Sequence, residues 1–152
     1  MVYVCIIGSE NTKKYEIANM LSRIGFQKNI PYSTSDNING RVRYLRVVNR
    51  EQIKSMQDCN MILKTETVGG ELYCTLEPFG KQRYVGVDSL KGCKALKRRF
   101  KKQVITVYIK DTTYENGAEA ECLADITVDN SNESNSIILN ILSAIKLEKE
   151  KS

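Results

Sequence analysis

Val2-Tyr3-Val4-Cys5-Ile6-Ile7-Gly8-Ser9-Glu10-Asn11-Thr12-Lys13-Lys14-Tyr15, continued by Ile17, Met20, Leu21 and Ile24 at helical spacing, is the stretch that decides the fold. Val2–Ile7 is a continuous apolar run rich in β-branched residues, the pattern of a strand buried on both faces of a parallel sheet. A polar turn follows. The i, i+3, i+4, i+7 recurrence and the stop at Gly25 then predict an amphipathic helix over Lys13–Ile24.

Working outward, Tyr84–Val87 and Val104–Ile109 repeat the buried-strand pattern, and Ser89–Lys102 between them carries Leu90, Cys93 and Leu96 at helical spacing. A β-α-β unit of this kind favours parallel pairing with a right-handed crossover. Ile126–Val128 is a short strand. After the polar connector Asp129–Ser136, a helix over Ser134–Leu147 has Ile137, Ile138, Ile141, Leu142 and Ile145 on one stripe. The middle of the chain has another texture. Arg43–Val48, Met61–Val68 and Glu71–Leu76 read as shorter strands, with Gly69-Gly70 as a hairpin turn. The expected fold class is therefore α/β, a mainly parallel sheet carrying a small β-rich insertion.

Composition narrows the chemistry. At 152 residues the chain suits one domain whose core needs no staple. It contains no histidine, so a Ser-His-Asp triad, a Cys-His pair and an imidazole metal site are excluded. Five cysteines, odd in number and never spaced C-x-x-C, argue against a disulfide framework or a thiolate metal centre. No run of about 18 apolar residues is present, and Met1–Ile7 lacks the basic start of a signal peptide, so a cytoplasmic protein is expected. A net charge of +5 favours phosphorylated or polyanionic partners.

The turn Gly8–Tyr15 is the one motif with chemistry in it. Laid on the phosphate-loop pattern G-x-x-x-x-G-K-[ST], it keeps Gly8 and Lys14 at the required spacing. The second glycine is replaced by Lys13, and the magnesium-binding hydroxyl by Tyr15, which makes this a degenerate Walker A loop. In an intact loop, backbone amides cradle phosphate oxygens at a helix N-terminus while the lysine neutralises their charge. The competing reading is an ordinary polar turn with solvated Lys13 and Lys14, and with Thr12 capping the helix.

From Val2 to about Ile145, the order of motifs resembles guanylate kinase. Ile30–Ser35 sits where that family has an S-x-T-T segment. Gly40, Tyr44 and Val48-Asn49-Arg50-Glu51-Gln52-Ile53 follow as its glycine, tyrosine and V-[ST]-R-E-E-F do. Gly70-Glu71-Leu72-Tyr73-Cys74-Thr75 fits its G-x-x-Y-G-T ribbon, Val87-Asp88 with Gly92 its strand-end aspartate, and Ile126–Asn130 its V-N-D-like end. The resemblance implies a three-layer domain of the P-loop NTPase type over 1–147, with a monophosphate-binding insertion at about 32–80, a lid reduced to 111–123 and a charged tail at 148–152. It implies ATP and Mg²⁺ as cofactors and phosphoryl transfer to GMP or dGMP, with Lys14 as the catalytic cation among the phosphate-binding residues Gly8, Ser9, Glu10, Asn11, Thr12, Lys13, Lys14 and Tyr15. Ser33, Tyr44, Tyr73 and Thr75 would hold the monophosphate and Asp88 the base. Read without a ligand, those residues suit half-buried strands, a turn and a helix cap.

Departures from the family bear on catalysis. The T-T-R-x-x-R segment is shortened to Thr34-Ser35-Asp36-Asn37-Ile38-Asn39, leaving Arg41 and Arg43 as candidates to supply its charge. The base-reading glutamate falls near Lys64, with Glu66 two residues on, which alternation places on one strand face. Asp111–Leu123 contains no arginine. A single arginine is worth about 10³–10⁵ in rate in this chemistry. The alternative is a catalytically inactive module that binds a nucleotide or a protein. Nucleic acid, through the basic stretch Lys91–Lys102, is a less favoured partner.

Overall fold

The computed structural model describes residues 1–35, 46–78 and 82–151, with side chains through 147. The chain forms two compact units, Met1–Lys28 with Gly80–Ser152, and Asn29–Phe79. In chain order the elements are β1 (Val2–Gly8), α1 (Lys14–Arg23), β2 (Gln27–Lys28), β3 (Tyr32–Ser33), β4 (Arg46–Val47), α2 (Arg50–Asp58), β5 (Ile62–Val68) and β6 (Glu71–Leu76). They continue with β7 (Arg83–Val87), α3 (Leu90–Phe100), β8 (Val104–Lys110), α4 (Gly117–Leu123), β9 (Ile126–Asp129) and α5 (Ser134–Lys151).

The first unit is built on a five-stranded sheet of order β2-β7-β1-β8-β9, and every pairing in it is parallel. Strand alternation sorts β1 onto two faces. Val4 and Ile6 join Val85, Ile105, Val107 and Ile109 under Ile17 and Leu21 of α1 and Ile137 and Ile141 of α5 in one apolar cluster. Burying each such side chain contributes about 1.5–3 kcal/mol. Tyr3, Cys5 and Ile7 point the other way. There Cys5 is flanked by Gly86 and Thr106, and Cys93 of α3 lies 3.2 Å from the Thr106 hydroxyl, so the layer beneath α3 mixes polar groups into the core. Helices thus cover both faces of the sheet.

α1 is one residue shorter at each end than the periodicity implies, and its chain reverses at Gly25, φ +106°. Gly is favoured at such a position because it lacks a Cβ. α5 runs four residues beyond the expected Leu147, where a charged sequence continues the helix without an apolar stripe.

In the second unit the sheet order is β4-β3-β6-β5, with β3 and β4 parallel and the other pairs antiparallel. Gly69 and Gly70 close the β5–β6 hairpin with φ of +58° and +81°, the signs a type I′ turn demands. Before it, α2 opens on a capping box. Asn49 Oδ1 accepts from Gln52 N and Gln52 Oε1 accepts from Asn49 N, both at 2.8 Å. Among the described residues, no helix is long and apolar enough to cross a membrane.

Candidate functional site

The turn between β1 and α1 is held at several points. Gly8 ends β1 opposite Ile109, and a Cβ there would stand 2.9 Å from the Ile109 carbonyl oxygen and 3.0 Å from Thr12 Oγ1. Glycine is therefore fixed by close approach of a neighbouring strand. Thr12 does not cap the helix: its hydroxyl and its amide both donate to the Ser9 carbonyl, at 2.8 and 3.2 Å. Ser9 Oγ donates to Asp111 Oδ2 at 2.6 Å, just beyond β8. That bond is the main reason the Asp111 carboxyl titrates below its usual value of 3.8. Lys13 donates its amide to Asn130 Oδ1 at 2.8 Å and its ammonium to the Asn132 carbonyl at 2.6 Å, which ties the turn to the β9–α5 connector.

Two backbone donors that a phosphate cradle would use, those of Thr12 and Lys13, are thus already bonded. What remains is Lys14. It is only 8% exposed, and its ammonium donates to the Gly8 carbonyl oxygen at 3.1 Å and lies 5.1 Å from the Tyr15 ring centroid. Burial lowers its pKa. The charge also stands at the positive end of α1, where the helix dipole disfavours a cation. A cation held there gains from any anion that reaches it. The solvated-lysine reading therefore fits Lys13, whose ammonium is exposed, and not Lys14.

Asp88, just past the end of β7, belongs to the same unit. The fully buried Tyr3 hydroxyl donates to Asp88 Oδ2 at 3.0 Å, in space that Gly86 leaves open. A Cβ on Gly86 would fall 2.1 Å from that hydroxyl. The cap of α3 is Ser89, whose Oγ accepts from Gly92 N, so Asp88 is not the cap.

Ser33, Tyr73 and Thr75 lie in the second unit and share one face of its sheet. Tyr73 pairs with Ser33 on one side and Glu66 on the other, and Thr75 pairs with Lys64. The opposite face carries Tyr32, Cys74 and Thr65, with Gln57 of α2 bonded to Thr65. Lys64 and Glu66 accordingly stand on the same face as the three hydroxyls. Ser33 Oγ already donates to the Leu72 carbonyl at 2.9 Å and accepts from Ser35 N, so its proton is committed. Arg41, Arg43 and Tyr44 lie outside the described residues. No cluster of His, Cys, Asp and Glu fit to hold a metal occurs among the described residues.

No family model matches the chain, and no curated protein does. Among solved structures it matches guanylate kinase from Anaplasma phagocytophilum, with a TM-score of 0.72 and 14% identity over 97% of this chain and 85% of that one. The fold is that of a guanylate kinase. At this identity the likeness is one of architecture, and it agrees with the parallel sheet and the strand–turn–helix read from the sequence.

Sequence reasoning found Lys14 by its spacing but missed Tyr3, Asp111 and the connector residue Asn132. Tyr3 sits in an otherwise aliphatic strand, and an aromatic hydroxyl in a fully buried position needs a partner. That was the available signal.

Proposed function

We propose that this chain is a guanylate kinase-like nucleotide-binding protein, a single functional domain over 1–147 with its monophosphate-binding insertion at about 32–80. The observation that carries the reading is the buried Lys14 ammonium, held by one carbonyl at the N-terminus of α1. A phosphate oxygen there would meet a charge that the protein itself leaves poorly solvated, and charge-assisted bonds of this kind contribute about 1.5–3 kcal/mol. Tyr73 and Thr75, with Lys64 and Glu66 on the same face, would receive a GMP-like monophosphate.

Phosphoryl transfer from ATP to GMP or dGMP is the second reading, favoured by the fold. Three features of this chain oppose a fast reaction. The amides of Thr12 and Lys13 are bonded within the protein, Asp111–Leu123 supplies no arginine, and Tyr15 stands where a magnesium-binding hydroxyl belongs. Magnesium does not fit this turn, so any metal would have to travel on the phosphates of ATP.

Thermal unfolding with ATP, GTP and GMP, beside a phosphoryl-transfer assay, tests both readings. Stabilisation that Lys14→Ala abolishes supports the binding reading, since a ligand bound only by the folded state raises the unfolding temperature. Diphosphate formed from GMP and ATP, and lost in Lys14→Ala, would establish the kinase. No shift with any nucleotide would remove both.

A further inference from the structure

The positive charge of this chain is concentrated on one element. Leu90–Gln103 carries seven cations and no acid, while the whole chain is +5, so the rest sums to −2. At least three of the seven are engaged within the fold, Lys94, Lys97 and Arg99. Lys94 pairs with Glu119, and Lys97 pairs with Asp125 at 3.1 Å and donates to the Leu123 carbonyl, which clamps α3 to α4 and β9. Lys91, Arg98, Arg99, Lys101 and Lys102 are exposed, and no ion pair among the described residues engages Lys91, Arg98, Lys101 or Lys102.

Lys91 and Arg98 recur at i and i+7, the same side of α3, and Lys101 and Lys102 follow in the turn just past its end. Cys93 and Leu96 are fully buried on the other side. Past the helix, Lys101 turns the chain with φ +51° into a further turn, Lys101–Gln103, which carries the last two cations. Glycine is the residue that relieves such a helix end, and a side chain there costs about 1–3 kcal/mol. Stability alone does not call for lysine at this position.

We propose that this stripe binds the phosphodiester backbone of single-stranded nucleic acid, a property separate from the nucleotide site at Lys14. At 1.5 Å per residue, α3 rises about 14 Å from Lys91 to Phe100, with Lys101 and Lys102 just beyond. A stacked strand presents about one phosphate per 3.4 Å, so Lys91, Arg98, Lys101 and Lys102 face about four phosphates. Arg98 and Arg99 suit phosphate because the guanidinium fork bonds two oxygens at once. Phe100 stands beside them, the Arg99 guanidinium 5.8 Å from its ring centroid, and offers a surface on which a base can stack. The Phe100 ring favours a single strand, whose bases are free to stack on it, over a duplex. An anionic membrane would be met by exposed apolar side chains among the cations, and the large exposed ones, Ile24, Val47, Val68, Leu139 and Leu147, all lie elsewhere in sequence.

Fluorescence anisotropy of a labelled oligothymidylate of about 16 nucleotides with the full chain tests the proposal. The expected result is affinity that falls with salt at a log–log slope of about −2.8, from four contacts at about 0.7 each. R98E/K102E should weaken binding by at least about tenfold without changing the unfolding temperature, and R98Q/K102Q by a smaller factor. Lys14→Ala should bind the oligonucleotide as the natural chain does. The proposal fails if the oligonucleotide is not bound at low salt, if R98E/K102E binds unchanged, if Lys14→Ala alone abolishes binding, or if phosphatidylserine vesicles are bound in its place.

Discussion

The ammonium of Lys14 donates to the carbonyl oxygen of Gly8, six residues back and 3.1 Å away, so the cation of the turn is folded onto the strand end from which the turn departs. The strand end and the lysine are joined by the same spacing that the phosphate-loop pattern requires. One carbonyl is a poor substitute for water around a buried cation.

Substituting Lys14 by methionine separates the burden of this charge from its use. A lysine whose folded pKa lies below its unfolded value destabilises the fold fully at pH below the folded pKa, and that penalty fades as pH rises toward 10.5. Near neutral pH, Lys14→Met should therefore raise the unfolding temperature of the ligand-free protein, and the advantage over the natural chain should shrink on alkalinisation. Nucleotide affinity should drop roughly ten- to a hundredfold, the equivalent of about 1.5–3 kcal/mol. Calorimetry with and without nucleotide over a pH series checks both.

Gly86 and Tyr3 form a second coupled pair. A Cβ on Gly86 would meet the Tyr3 hydroxyl at 2.1 Å, and that hydroxyl bonds Asp88. Gly86→Ala should destabilise by about 1–3 kcal/mol through overpacking. Tyr3→Phe removes the obstructing oxygen and should cost about 1–2 kcal/mol alone, by leaving a carboxylate oxygen short of a donor. Because Asp88 Oδ2 and the ring carbon that bore the hydroxyl still stand 2.7 and 3.0 Å from the new Cβ, the double variant should be only partly relieved. Chemical denaturation of the four proteins should show destabilisation smaller than the sum of the single effects.

The frame of the first unit was legible because each of its longer elements buries a face with a clear period: β1 and β8 as apolar runs, α1, α3 and α5 as stripes. α2 carries no such signal. It has one buried residue, Ile53, so no stripe announces it, although Asn49 followed by Gln52 is the signature of a capping box. β2 and β3 are two residues long and carry no period at all. The same contrast holds at the site. Lys14 is reached by counting from Gly8. The Ser9–Asp111 and Lys13–Asn130 bonds join residues 102 and 117 apart in sequence, and only the parallel sheet order brings them together.

Removing Ser9 Oγ should move the Asp111 titration. Its hydrogen bond is the largest influence holding that carboxyl below 3.8, ahead of the bonds from Thr113. In Ser9→Ala the pKa of Asp111 should rise toward 3.8, read from its carboxyl carbon in an NMR titration. A carboxyl with a depressed folded pKa contributes stability above its unfolded value and loses it as pH falls through the folded one. The natural chain should therefore exceed Ser9→Ala in stability at neutral pH, with the difference closing in acid. An Asp111 titration that stays in place would show that the bonds from Thr113 and Tyr114 set it.

Thiol chemistry reads the α3 face of the first sheet and the core of the second. All five cysteines are free, with Cys59 and Cys122 exposed and Cys5, Cys74 and Cys93 buried. Burial raises the pKa of Cys5 strongly and of Cys74 as well, so each is held as the protonated, unreactive thiol. Cys93 is lowered, its bond with Cys5 acting first, yet it is fully covered. Reactivity needs both thiolate and access, and a fully covered Cys93 lacks access. Ellman's reagent should thus release two equivalents from the native protein at once and five after unfolding. If a third thiol reacts on the native timescale, mass mapping should place it at Cys93, because Cys93 is carried by α3, which covers the sheet, while Cys5 lies on the central strand β1. Labelling at Cys5 before Cys93 would contradict that order of cover.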